Sequence, residues 1–135
     1  MTKKQSVQDA KMEKMKGFRK SDTYLPIEQA VLVPATIHDK LISPAQRRKR
    51  INTVKKYLSN NFGGFTSVSA HGGYYSGDLK KVIQEPVTVV TSFGTKKAYT
   101  KNKAKLKKQI RAWGKKWHQE SMGYELEGDL YYLSS

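Results

Sequence analysis

Histidine, tyrosine and carboxylate side chains gather around glycines and a helix end at His71-Gly72-Gly73-Tyr74, Glu85, His118-Gln119-Glu120 and Tyr124. An imidazole with two carboxylates is equipped to move a proton or hold a metal ion. Glycines beside it let a backbone or a ligand come close. These residue types make His71, Tyr74, Glu85, Gln119, Glu120 and Tyr124 a candidate pocket. The same residues also serve ordinary turns and helix ends, where His118 suits the negative end of a helix dipole, and that plainer use is the favoured one. The chain has no HExxH, no Gly-Lys-Ser/Thr phosphate loop, no GxSxG and no Cys/His metal spacing. Its three histidines, His38, His71 and His118, are too scattered to read as a metal site. The expectation is therefore no assigned catalytic residue, no metal and no cofactor.

A second group of residues suits polyanions. Lys96 to Trp117 holds ten Lys or Arg residues and no acid. Its large apolar residues, Tyr99, Leu106, Ile110, Trp113 and Trp117, fall on one stripe of a helix. The earlier stretch from Ser43 to Phe62 repeats the pattern, with Ile51, Val54, Leu58 and Phe62 as the stripe. Together the two helices carry 16 of the 26 cationic residues, leaving 10 basic against 11 acidic residues elsewhere. Arg47, Arg48, Lys49, Arg50, Lys55 and Lys56 on the first, with Lys97, Lys101, Lys105, Lys108, Arg111, Lys115 and Lys116 on the second, are the candidate nucleic-acid-binding residues. Arginine offers paired donors to a phosphate and lysine a point charge, and such contacts give salt-sensitive, sequence-blind binding.

The elements that position these groups follow from pattern and punctuation. Gln29 to Ile37 reads as a first strand, stopped or bulged at Pro34. Ser43-Pro44-Ala45-Gln46 combines a serine N-cap, a proline at N1 and a glutamine that can reach back, and Gly63-Gly64 supplies the stop. Phe65 to Tyr75 and Val82 to Phe93 read as strands around a turn at Ser76-Gly77-Asp78, with Pro86 pointing to an edge or a bulge. Met122 to Leu133 is strand again, or a hairpin turning at Gly128-Asp129. The order predicts an α+β domain with the ferredoxin-like βαββαβ arrangement, two basic helices on one face of an antiparallel sheet and an optional extra C-terminal hairpin strand. Phe65, Tyr74, Tyr75, Tyr124, Tyr131 and Tyr132 lie on these strands. The third strand lacks the basic-Gly-aromatic signature of base-stacking sheets, so the tyrosines read as core or self-association residues.

At 135 residues the chain is of single-domain size, expected over 24–135. Residues 1–23 carry seven basic residues and read as a flexible or weakly helical arm. A formal charge of +15 is far above the magnitude of roughly 2–8 that keeps a small domain soluble. There is no cysteine, no apolar run long enough to span a membrane and no signal-peptide core. A location in the host cytoplasm or in a virion, and not a secreted one, is expected.

The segments YLSNNFGGFTSVSAHGGYYS, VTVVTSF and QESMGYELEGDLYYL resemble small uncharacterised proteins of bacteriophages and archaeal viruses. In those, a helix ending in Phe-Gly-Gly leads into a strand and a Gln-Glu-x-x-Gly-Tyr-Glu run precedes a last hairpin. The resemblance covers about residues 30–133, implies a viral accessory or virion-associated protein, and singles out His71, Glu85, Gln119 and Glu120 as a shared surface or pocket.

These readings lead to an expected function: a non-enzymatic viral accessory protein that binds nucleic acid or ribonucleoprotein through its basic helices, with self-association allowed. The alternative is a viral inhibitor or virion structural protein docking on an acidic protein surface. A third is a metal-dependent hydrolase or nuclease using His71 with Glu85 or Glu120.

Overall fold

The computed structural model describes residues 16–135, so most of the basic arm expected over 1–23 lies outside the described residues. The elements, in chain order, are β1 (Ile27–Pro34), β2 (Thr36–Ile37), β3 (Lys40–Leu41), α1 (Pro44–Phe62), β4 (Thr66–Ser76), β5 (Lys81–Gly94), α2 (Lys96–Lys116), β6 (Ser121–Leu126) and β7 (Asp129–Ser134). Five strands form one sheet in the order β4-β5-β1-β6-β7, every pairing antiparallel. The described residues form an α+β fold with an antiparallel sheet and two long helices, as the sequence pattern implied.

Strand alternation decides which face is covered. Val31 and Val33 of β1, Val90 of β5, Met122 and Tyr124 of β6 and Leu133 of β7 join one core with Val54, Leu58 and Phe62 of α1 and Leu106, Ile110, Trp113 and Trp117 of α2. Residues i and i+2 of a strand share a face, so both helix stripes pack on the same side. Fully burying a leucine such as Leu58 or Leu106 contributes about 2 kcal/mol. Ile51 and Tyr99 sit only half-buried at the ends of their stripes. The opposite face of the sheet is open, with Val68, Phe93, Leu130 and Tyr132 exposed on it. Tyr124 alone of the strand tyrosines is in the core, which corrects the expectation of a core role for the others: Tyr74, Tyr75, Tyr131 and Tyr132 are all about half exposed or more.

The caps are those that the residue types demand. Ser43 accepts from Gln46 N while Gln46 Oε1 accepts from Ser43 N, and Gly63 closes α1 in the left-handed region at φ 101°. Thr95 accepts from Ala98 N at the start of α2. Pro86 causes no bulge. It pairs with His71 in an unbroken β4–β5 register, and β1 has already ended one residue away, where Pro34 faces Val87. From Pro86 back to Lys81, β5 therefore has a partner strand on the β4 side only, an edge position that tolerates proline. The tail is a hairpin whose turn is Glu127-Gly128, both at positive φ, one residue earlier than expected.

Candidate functional site

One short element missing from the sequence reading shapes the site. Thr36–Ile37 and Lys40–Leu41 form a two-stranded flap turned by His38 (φ 47°) and Asp39 (φ 64°). Two central residues at positive φ make the tight hairpin whose twist suits a strand pair, and Asp and His tolerate that region better than most. The flap is tied down at its base. Arg50 Nη1 donates to Pro34 O at 2.8 Å and Thr36 O at 3.0 Å, and Gln119 Nε2 donates to the same Thr36 O at 2.8 Å and to Trp117 O at 2.9 Å. Thus α1, the end of α2 and the flap are joined through one carbonyl. His118, the first residue past the α2 cap, is itself left-handed at φ 56°, and its ring lies 5.5 Å from that of His38.

Two clefts open on either side of this junction. The first, of about 500 Å³, is lined by Thr36, His38, Asp39, Tyr74, Glu85, His118, Gln119, Glu120 and Ser121. Among the described residues it takes three acidic side chains and no lysine or arginine. Glu85 is half-buried on β5, and Tyr74, on the facing strand, has 55 % of its surface exposed, its ring available to a ligand. Among the described residues, three of the five non-glycine residues at positive φ, His38, Asp39 and His118, line this cleft. Backbone conformations of that kind cost of order 1 kcal/mol each and collect at functional sites. No three acidic, histidine or cysteine side chains come together as a metal site among the described residues.

The second cleft, of about 220 Å³, shares His118 and is otherwise lined by Ile37, Gln46, Lys49, Arg50, Thr53, Lys116 and Trp117. Arg50 lies over the Trp117 ring at 5.2 Å, and burial lowers its proton affinity.

Of the pocket expected from sequence, the structure brings together Tyr74, Glu85, Gln119 and Glu120. His71 does not join them: it is an exposed β4 residue opposite Pro86, three positions from Tyr74 and so on the other face of its strand. Tyr124 does not either. It is a core residue whose hydroxyl donates to buried Gln29 Oε1 at 2.6 Å, and desolvation, followed by Tyr99 and Tyr131, raises its pKa far above the usual tyrosine range. His38, Asp39 and Thr36 were missed, although Thr36-Ile37-His38-Asp39-Lys40-Leu41 has the two-residue turn of a small hairpin.

The cationic residues divide. Arg48, Lys49, Lys56, Lys97, Lys101, Lys105, Lys108, Lys115 and Lys116 are exposed, and Arg47 is half-buried. Arg50, expected on the binding surface, is instead 5 % exposed and serves the flap. Lys55 is half-buried with its ammonium 5.1 Å from the Phe65 ring, and Arg111 donates to Ser134 O at 2.9 Å.

No protein-family model matches the chain, and no curated protein matches it. Two solved structures share its fold. One is a phage SAM lyase in complex with S-methyl-5'-thioadenosine, with a TM-score of 0.59 and 13% identity, covering 88% of this chain and 97% of that one. The other is a phage SAM lyase in the apo state, with a TM-score of 0.57 and 15% identity, covering 81% and 89%. This likeness overturns the expectation of a non-enzymatic protein that binds nucleic acid through its helices: over almost its whole length the chain has the fold of an enzyme. The excess of lysine and arginine carried the nucleic-acid part of that expectation and the lack of a catalytic motif the non-enzymatic part, and charge alone carries no information about a cleft of opposite sign.

Proposed function

We propose that the carboxylate-lined cleft binds S-adenosylmethionine and promotes its cleavage to S-methyl-5'-thioadenosine. The observation that carries this reading is the local inversion of charge. In a chain of formal charge +15, a cleft of ligand size holds Asp39, Glu85 and Glu120 and, among the described residues, no lysine or arginine. A sulfonium nucleoside with an α-ammonium group brings two positive charges to such a place. Tyr74 offers a ring on which a purine can stack or against which a sulfonium can rest. The shared fold of the phage SAM lyases supports the same substrate class. The order β4-β5-β1-β6, with a helix after β1 and another after β5, supports a ferredoxin-like core to which β7 adds a strand.

The chemistry asks little in the way of proton transfer. When the bond between sulfur and the γ-carbon breaks, its electron pair goes to sulfur and the leaving group is a neutral thioether, so no acid is needed to assist it. A lyase adds no water. The four-carbon remainder either closes on itself, a carboxylate oxygen forming the new bond to the γ-carbon, or loses a β-proton to a base and leaves as an alkene. In the first route opposite charges cancel, and a cleft that sheds water favours that. The task of Glu85 and Glu120 is then to hold the cationic groups in a folded conformer, worth much of the rate through positioning. Glu85 is also the base available to the second route.

The test is to incubate the purified protein with S-adenosylmethionine, follow S-methyl-5'-thioadenosine by chromatography, and identify the four-carbon product by NMR. Turnover is expected in the wild type, with a loss of about 100-fold or more in Glu85→Gln at an unchanged melting temperature. Absence of product above the uncatalysed background, together with no calorimetric binding of S-methyl-5'-thioadenosine, ends the proposal.

A further inference from the structure

The second cleft is lined by groups that attract an anion and by no group that repels one. Gln46, Lys49, Arg50 and Thr53 stand at i, i+3, i+4 and i+7 of α1, on one helix face, and Lys116, Trp117 and His118 close the cleft from the end of α2. Its centre is Arg50, buried but for 5 % of its surface. The two carbonyls that Arg50 meets both take their bonds from Nη1. They satisfy donors without cancelling a charge, and among the described residues Nη2 and Nε take no partner, which leaves them as the paired donors a planar oxyanion or a phosphate accepts. The centre of the Trp117 ring lies 5.2 Å from the guanidinium carbon and adds a cation–π contact.

The helix itself gives a second, independent reason. Arg47, Arg48, Lys49 and Arg50 fall in the first two turns of α1, and the first turn has no acidic residue. The amide end of a helix favours negative charge and disfavours positive. Arg47 to Arg50 occupy the fourth to seventh helical positions, where that pull has largely faded, so what the helix adds is a run of like charges with no acid beside it, which an anion in the cleft relieves. The lowering of the Arg50 proton affinity by burial agrees with a charge held without a counter-charge. Room is sufficient: about 220 Å³ accommodates a tetrahedral oxyanion with several waters, each of which takes about 30 Å³.

We infer that Lys49, Arg50, Lys116 and His118 form a binding site for an oxyanion, the phosphate or carboxylate group of a small molecule. The site meets the acidic cleft only at His118 and does not depend on that cleft turning over a sulfonium.

Isothermal titration calorimetry of the full chain with inorganic phosphate at low ionic strength tests it. Saturable binding to one site is expected, weakened about tenfold or more in the Lys49→Met/Lys116→Met double variant. The control is Lys101→Met/Lys105→Met, which removes the same charge from an exposed stretch of α2 and is expected to leave affinity within about twofold. Equal weakening in both pairs, or uptake that never saturates, overturns the inference. Acetate and sulfate arms separate the sources. Competition by acetate as effective as that by phosphate assigns a carboxylate, and competition by sulfate alone assigns a phosphoryl group. Arg50→Lys, which keeps the charge but not the fork, should bind at least about threefold more weakly while melting within a few degrees of the wild type.

Discussion

The two clefts meet at His118 and differ in almost everything else: one collects three carboxylates and an exposed tyrosine, the other a buried arginine, two lysines and a tryptophan. Both are made at the same junction, where the flap, the first turns of α1 and the end of α2 converge on the Thr36 carbonyl. The contrast shows why a chain-wide charge of +15 misleads about a site. Bulk charge sets the long-range field, which salt screens within about 10 Å. A ligand in a cleft responds to the groups within a few ångströms, and there the sign is set by which residues the fold gathers. The lysines along α2 dominate the sum and line neither cleft until Lys116.

The largest expected effect comes from removing the residue that ties the flap to α1. Arg50→Met deletes a buried donor to two carbonyls, leaves Pro34 O without its partner, and frees the base of the flap. Urea denaturation should show a loss of about 3 kcal/mol, since charged hydrogen bonds are worth roughly 1.5–3 each and Gln119 still serves Thr36 O. A loss under 1 kcal/mol would mean that the flap is held by something else. Next in size is a contrast in activity. Glu85→Gln/Glu120→Gln is expected to cut turnover of S-adenosylmethionine further than Glu85→Gln alone, beyond about 100-fold, equivalent to more than about 2.7 kcal/mol, whereas Lys49→Met/Lys116→Met leaves it within about threefold. If the lysine pair were as damaging as the glutamate pair, the clefts would be one site and the comparison would dissolve.

A third effect tests the core beneath them. Tyr124→Phe leaves Gln29 Oε1 buried without its donor and should cost about 1–2 kcal/mol. The raised Tyr124 pKa has its own signature. The folded chain keeps this phenol protonated where the unfolded chain, near 10.0, does not, so its contribution is full below pH 10.0 and is lost as pH rises toward the higher folded value. Stability should fall above pH 10.0 in the wild type and fall less steeply in Tyr124→Phe, measured by denaturant midpoints across alkaline pH.

What the sequence made legible was local or periodic. Ser43-Pro44-Ala45-Gln46 states its own capping box, Gly63 its left-handed stop, and the spacing of Leu106, Ile110, Trp113 and Trp117 its buried stripe. Tyr74, Glu85, Gln119 and Glu120 were recognised by residue type, and the long β4–β5 hairpin and the α2–β6 turn bring them to one cleft. What stayed hidden depends on contacts distant in sequence. Arg50 sits in a run of four cations with nothing local to mark it as buried, and only the Pro34 and Thr36 carbonyls, 16 and 14 residues away, distinguish it from Arg48. The flap has two-residue strands, too short for any periodicity, and its place over the cleft is fixed by Gln119, 83 residues further on. His71 and Tyr74 looked like neighbours because they are close in sequence, but a three-residue step along a strand changes face.

The smallest effect is the one that separates stability from function at the shared residue. His118 occupies the first position past the α2 cap with φ 56°, the place where glycine is preferred because it has no Cβ to clash. His118→Gly relieves that strain at the cost of chain entropy and of the contact with His38 5.5 Å away, leaving a net gain of about 0.5 kcal/mol in denaturant unfolding. The same change takes an imidazole from the wall of both clefts. Affinity for S-methyl-5'-thioadenosine and for inorganic phosphate should each fall by about threefold or more, so that the variant is steadier and binds less. A variant that unfolds more readily than the wild type would show that the left-handed turn at His118 is held by its side chain and stores no strain, and a variant that keeps both affinities would remove His118 from the walls of the two sites.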